Sequence, residues 1–305
     1  MKNVLLKKKS GFTAQRRMDL GFIWIMLAIP ILHWLIFWLY VNFDSILLAF
    51  KIPSGEWSTV SLESVFLSLK EGGSELNTAI KNTFLYFIKD TLMIPFQLLL
   101  AYFLHKKIKF YGFFRVMFYL PVLISGVAMV QLYSSMIAPS GPIGDLLKSF
   151  GVNPVPQFLG DSRYATNAIL IYTIWVGLGG HLLILCGALA RIPIDILESA
   201  KIDGANNVRE LTDFIIPLMW PTLSTLFILN LTGIFSAGGP ILLFDSSKMD
   251  VKITTIAYWI FDKVYTGGAA AYNEVAATGL IFTLVGVPVI MTLKWLIEKV
   301  PQVDY

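Results

Sequence analysis

The residues of this chain that could do chemistry are few and do not assemble into a catalyst. His33, His105 and His181, its three histidines, lie in or beside different apolar stretches, with no carboxylate or cysteine near them at metal-ligand spacing. No metal site is indicated. Cys186 is the single cysteine, so an intrachain disulfide is impossible and redox chemistry is not expected. Gly177, Gly179 and Gly180 look like part of a nucleotide loop, but they sit in an apolar run with no strand before it, and no Gly-rich Lys-Ser/Thr phosphate loop occurs elsewhere. What remains is a polar insert, Glu198-Ser199-Ala200-Lys201-Ile202-Asp203-Gly204-Ala205, followed by apolar residues again at Phe214 to Pro217. In a chain made mostly of hydrocarbon, a charged helix-turn of this kind has the chemistry of a docking surface.

The elements that must position this insert follow from composition. The chain has 305 residues, 56% of them apolar and 14% charged, with a mean hydropathy of +0.68. That is too apolar for one soluble core, and polar gaps recur along it, so it reads as a polytopic membrane protein. A membrane-crossing helix needs roughly 20 mostly apolar residues. Six windows qualify: about Leu20 to Val41, Asn82 to Leu104, Phe113 to Ile137, Thr166 to Ala190, Leu218 to Phe235 and Val275 to Ile297. The apolar residues run continuously without a period of two, so the expected fold class is all-α, six transmembrane helices, and not a barrel. Pro30, Pro95, Pro121 and Pro288 fall inside these windows and are expected to kink their helices.

Charge sets the orientation. Lys2, Lys7, Lys8, Lys9, Arg16 and Arg17 precede the first window, and Lys106, Lys107, Lys109 and Arg115 crowd the connection between the second and third. Both termini are therefore expected in the cytoplasm, with a basic segment over 1–19 and the transmembrane domain over 20–305. The basic balance speaks for anionic lipid head groups, and no basic-aromatic pattern of a nucleic-acid binder accompanies it. The first window is too long for a signal-peptide core and no small-residue cleavage site ends it, so a retained helix is expected.

Three longer loops, about Asn42 to Lys81, Ala138 to Ala165 and Ser236 to Glu274, fall on the opposite side and should hold short helices. Trp57, Phe66, Phe158, Tyr164, Trp259, Phe261 and Tyr265 read as an outer interfacial belt.

Within the insert, Pro193 and Asp195 start a helix, Ile196, Ala200 and Ala205 share a face, and Gly204 interrupts it, allowing a sharp turn or a close approach by a partner. A short amphipathic helix across the cytoplasmic membrane face, about 194–212, is expected.

At these residues the sequence resembles the inner-membrane permease subunits of binding-protein-dependent ABC importers. Their signature is Glu-Ala-Ala, three residues, Gly, nine residues, then Ile-x-Leu-Pro, and Glu198-Ser199-Ala200, Gly204 and Phe214-Ile215-Ile216-Pro217 stand at the same spacing. The departures, Ser for Ala and Phe and Ile at aliphatic positions, are conservative. Asn82-Thr83, Phe114-Arg115 with Tyr119-Leu120-Pro121, Trp175-Val176-Gly177-Leu178-Gly179, Ala188 to Pro193 and Gly238-Gly239-Pro240 resemble the carbohydrate branch, the maltose-type and glycerol-phosphate-type permeases, in a compact six-span form.

The resemblance implies a type I importer permease fold in a bacterial inner membrane, with the cytoplasmic helix as a coupling helix seated in a cleft of an ATPase subunit. Glu198, Ser199, Ala200, Asp203, Gly204 and Pro217 would form the coupling site. The implied partners are a second homologous permease, two copies of an ABC ATPase and an extracytoplasmic sugar-binding protein. ATP and Mg belong to the ATPase; this chain is expected to bind no cofactor and to catalyse nothing alone.

A substrate pathway is expected where polar groups at membrane depth face water. Thr173, Gly177 and Gly180 share a face of the fourth window, and Asn230 and Gly233 a face of the fifth, with Asn230 offering hydrogen bonds to a sugar and the glycines making room for its ring. Trp175 is a further candidate. Lys89 and Asp90 are intramembrane charges; adjacent side chains point about 100° apart, so they are not expected to pair, and Lys89 is expected to snorkel. The main alternative, a stand-alone secondary transporter of a polar solute, should show internal repeats and a chain of midplane carboxylates, and neither is evident.

Overall fold

The computed structural model describes residues 2–235, 239–244 and 253–301. Gly238, one of the residues carrying the family resemblance, lies outside the described residues, as does part of the third outer loop. The chain opens as a long helical rod of α1 (Lys2–His33), a π-helical stretch (Trp34–Tyr40) and α2 (Val41–Leu48). Then follow α3 (Val60–Lys70), α4 (Glu75–His105), α5 (Tyr111–Leu123), α6 (Gly126–Ile137) and α7 (Pro142–Ser149). Next come α8 (Ser162–Gly177), α9 (Leu182–Leu189), α10 (Ile194–Ile202) and α11 (Asn207–Arg209). A π-helical segment (Glu210–Ile215), α12 (Ile216–Thr232), a 3-10 turn (Gly239–Leu243), α13 (Ile256–Thr266) and α14 (Gly268–Glu298) complete it. Among the described residues the one β-type pairing is an isolated bridge between Lys51 and Trp57.

Five helical stretches of the described residues are long and apolar enough to cross a membrane: Met18–Leu48, Glu75–His105, Ser162–Leu189, Asn207–Thr232 and Ala271–Glu298. The sixth expected span is not one straight helix. Tyr111–Leu123 and Gly126–Ser149 bend by 108° at a short break, where Ile124 (ψ 146°) and Ser125 (ψ 133°) are extended. Pro121, which cannot donate to the ladder, lies in the last turn before the break. Hydropathy saw one apolar run because lipid-facing composition is blind to where the backbone turns.

The fourth span is also interrupted, between α8 and α9, at 178–181. A Cβ on Gly179 would collide with the Phe118 carbonyl oxygen of α5, so the backbones approach there only because this residue is glycine. The fifth begins earlier than expected, at Asn207, through the π-helical segment.

Two compact units are distinguishable, Met1–Val65 with Gly267–Ile281, and Phe66–Thr266 with Phe282–Tyr305. In the first, every apolar side chain from Leu20 to Phe43 is exposed, as befits a rod solvated by hydrocarbon. The Asn273 amide donates to the carbonyls of Leu48 (3.0 Å) and Lys51 (2.8 Å), satisfying acceptors where α2 ends.

The second unit has two cores, both crossed by α4. One gathers Ile94, Leu98 and Tyr102 of α4 with Leu182, Leu185 and Leu189 of α9, Leu197 of α10 and Met219 and Leu223 of α12. The other gathers Tyr86 with Met129 and Tyr133 of α6, Ile169 and Tyr172 of α8, and Ile241, Phe244 and Ile253. In its amino-terminal half α4 holds the segment before α13: Asn82 Nδ2 donates to Thr254 O (2.9 Å) and Ile256 N to Thr83 Oγ1 (2.9 Å).

Two expectations about side chains are corrected. Lys89 and Asp90 do form an ion pair: their Cβ vectors diverge, but the lysine stem is long enough to fold its ammonium back across the helix. In the aromatic belt, Trp57, Phe66, Phe261 and Tyr265 are exposed, whereas Trp259 is buried and Phe158 packs against the second core.

Candidate functional site

Two polar features stand out, an elbow and a cavity. The elbow is α10 and the turn after it. α10 buries Leu197 and Ala200 in its own unit, which turns the remaining face outward: Ile194 is 65% and Ile202 86% exposed, and Glu198 is exposed between them. At i, i+4 and i+8 these residues form a carboxylate flanked by two bare isoleucines. Ser199, Lys201 and Asp203 are exposed beside it.

The helix ends in a Schellman motif. Ala205 N donates to Ala200 O (2.9 Å) and Gly204 N to Lys201 O (3.0 Å), with Gly204 at φ +81°. Asn206 starts the next helix at once, its side-chain oxygen accepting from Arg209 N at 2.9 Å. Gly204 therefore serves a left-handed turn. The helix ends at Ile202, short of the expected 194–212, because the αL residue reverses the chain. The buried face is Leu197 and Ala200, with Ile196 and Ala205 only half-buried. Pro217, half-buried, opens α12.

The cavity, of about 310 Å³, is lined by α4, the α8–α9 break and α12. Its wall includes Asp90, Met93 and Gln97, then Gly177, Gly180 and His181, then Asn230 and Gly233. Gln97 Nε2 donates to the carbonyl of Gly177, which leaves Gln97 Oε1 to accept from His181 Nδ1 at 2.9 Å. One amide thus satisfies groups on both sides of a helix break. The same geometry makes Nδ1 the protonated ring nitrogen and leaves Nε2 of a neutral ring as an acceptor. Asn230 Nδ2 donates to Thr91 Oγ1 (2.8 Å), which itself donates to Phe87 O (2.8 Å). Asp90, half-exposed and paired with Lys89, is the one carboxylate on the wall.

Of the residues expected to line a pathway, the structure brings together Gly177, Gly180, Asn230 and Gly233. Thr173 and Trp175 are elsewhere: Thr173 Oγ1 donates to Leu170 O (2.8 Å) of its own helix, and Trp175 packs on Tyr133 and Tyr172. α8 is unbroken from Thr173 to Gly177, and the cavity lining takes up only its last residue, so Thr173 lies one turn before the wall. Sequence reasoning missed Gln97, His181 and Thr91. Asp90 and Gln97, polar residues seven apart in an apolar run, carried a signal that could have found the α4 face.

No protein-family model matches the chain. It is 26% identical over 267 residues to the arabinooligosaccharides transport system permease protein AraP of Bacillus subtilis (strain 168), spanning 84% of this chain and 82% of that one. It is 22% identical over 285 residues to the multiple sugar-binding transport system permease protein MsmF of Streptococcus mutans, spanning 89% and 93%. The lactose transport system permease protein LacF of Rhizobium radiobacter is 32% identical over 170 residues, about half of each chain (55% and 55%). Among solved structures, a bacterial ABC transporter involved in importing the acidic polysaccharide alginate superposes with a TM-score of 0.79 at 22% identity, over 94% of this chain and 100% of that one. The alginate transporter in complex with a pentasaccharide-bound periplasmic protein gives 0.76 at 23%. The chain is thus similar in sequence to permease subunits of sugar ABC importers and has the fold of an ABC importer permease.

Proposed function

We propose that this chain is the membrane-spanning permease subunit of an ATP-driven importer in a bacterial cell membrane, taking up a carbohydrate handed over by an extracytoplasmic binding protein. The observation that carries the reading is the elbow. A short helix between two spans turns outward Ile194, Glu198 and Ile202 and is closed by a glycine cap, at the signature spacing of such permeases. Bare isoleucines around a carboxylate are costly in water and fit a partner's cleft.

In this mechanism the elbow sits in an ABC ATPase, with Glu198, Ser199, Asp203 and Gly204 at the contact, while buried Ala200 and half-buried Pro217 of the expected coupling site anchor the elbow to the rest of the chain. Closure of two ATPase copies on ATP and Mg pulls the elbow, and α9 and α12, joined to it through the backbone, tilt with it. α12 and the break immediately before α9 line the cavity, so its shape changes with the nucleotide state. A second homologous permease completes the pathway, and both termini face the cytoplasm.

The cavity suits an uncharged polyhydroxyl compound. His181, Gln97 and Asn230 offer donors and acceptors, Gly177, Gly180 and Gly233 leave room for a ring, and the Lys89–Asp90 pair contributes no net charge. The test is purification through a tag on the chain, followed by uptake in proteoliposomes with loaded binding protein. Copurification of an ATPase and ATP-dependent uptake of a sugar are expected. Uptake by the chain alone, driven by an ion gradient, would replace this reading with a secondary transporter.

A further inference from the structure

A third polar cluster ties the elbow to the cavity. Glu210, first residue of the π-helical segment, is 2% exposed, and its Oε2 accepts from Lys106 Nζ at 2.7 Å. The same ammonium donates to Asn207 Oδ1 at 2.8 Å, and Tyr102 OH donates to Asn207 O at 3.3 Å. The carboxyl end of α4 therefore grips both ends of the first turn that leaves the elbow.

The consequence follows from connectivity. α9 and α12 are continuous in backbone with the elbow, but α4, which brings Asp90, Met93 and Gln97 to the cavity, is not. Apolar packing between α4 and its neighbours can slide; an ion pair whose carboxylate is buried, with a second hydrogen bond, fixes position along the axis, since separating it strands the Glu210 charge away from water. From Lys106 back to Gln97 the helix is unbroken, a rigid lever of about 13 Å. Burial works against the Lys106 ammonium, but its contacts with Glu210 and Tyr102 outweigh this and hold its pKa above the usual lysine value, so it is charged throughout the neutral range.

We propose that the Lys106–Glu210 pair is the strut through which displacement of the elbow reaches the α4 wall of the cavity, which makes both of them positioning residues for transport. This rests on the reading of the chain as an ABC importer permease. A π-helical turn beginning at Glu210 fits the role, because such turns are easily re-registered and a pinned end decides which way they shift.

The test uses the complete complex purified through the chain, with ATP hydrolysis and sugar import measured on the same proteoliposomes. K106M and E210Q are each expected to lower import per ATP by about tenfold, the scale of an ordinary coupling free energy, while basal hydrolysis and the copurified ATPase stay unchanged. The reversed pair K106E/E210K is expected to recover most of that loss. Full import per ATP in an intact E210Q complex, or failure of the reversed pair to recover any, overturns the strut. Should the single variants fail to assemble, K106R, which keeps the charge, decides: near-normal import supports the pair, and a tenfold loss in an assembled complex overturns it. Absence of any copurifying ATPase from the unmodified chain overturns the importer reading, and the strut with it.

Discussion

Gln97 of α4 and His181 in the break before α9 share one hydrogen bond of 2.9 Å between Oε1 and Nδ1, and the same Gln97 amide also caps the Gly177 carbonyl where α8 stops. Gln97 is itself only 2% exposed. One side chain therefore satisfies both sides of the interruption that shapes the cavity.

Gln97→Leu should leave His181 Nδ1 without its partner and the Gly177 carbonyl with only its bond from Gly180 N (3.0 Å), at about 1–3 kcal/mol for the group left unpaired. The expected result is a lower melting temperature of the detergent-purified protein. An unchanged melting temperature would mean that water replaces the amide.

Asn230→Ala removes the donor to Thr91 Oγ1 while Thr91 keeps its bond to Phe87 O. Because the threonine stays satisfied, assembly should be preserved and import should fall about tenfold, as for a lost contact to bound substrate. If import per assembled complex holds and only stability drops, Asn230 is a tie between helices.

Gly204→Val places a β-branched residue at φ +81°, with open space around it. The strain costs about 1–2 kcal/mol of backbone energy, enough to deform the cap without unfolding the spans. ATPase copurification should weaken in this variant and in Glu198→Lys. Retention of the ATPase in both would exclude the elbow as its docking surface.

Gly179→Ala tests the helix break. The added methyl would collide with the Phe118 carbonyl, which as backbone cannot step aside. Overpacking of this kind costs about 1–3 kcal/mol, so membrane yield should fall, while alanine at Gly187, with nothing within 4 Å of its Cβ position, should be tolerated.

The six apolar windows were legible because a lipid-crossing helix needs only length and composition, and the elbow because its proline, glycine and charges sit close together in sequence. The interruptions at Ile124–Ser125 and 178–181 were not. Of the four prolines expected to kink their helices, Pro30, Pro95 and Pro288 remain inside helices and Pro121 alone lies beside a break; the breaks depend on which backbones approach each other.

Sequence by itself determined that this is a helical membrane protein, where most of its spans begin and end to within several residues, the start of the fifth and the bend in the third excepted, and which turn carries the exposed elbow. Each of those properties is local, fixed by hydropathy, proline, glycine and capping side chains within a few residues of one another. Only the tertiary structure decided that Gln97 bridges to His181, that Asn230 meets Thr91, and that Glu210 is buried against Lys106, 104 positions away along the chain. These pairings arise from how the helices cross and break, and a linear pattern holds no record of which helix lies beside which.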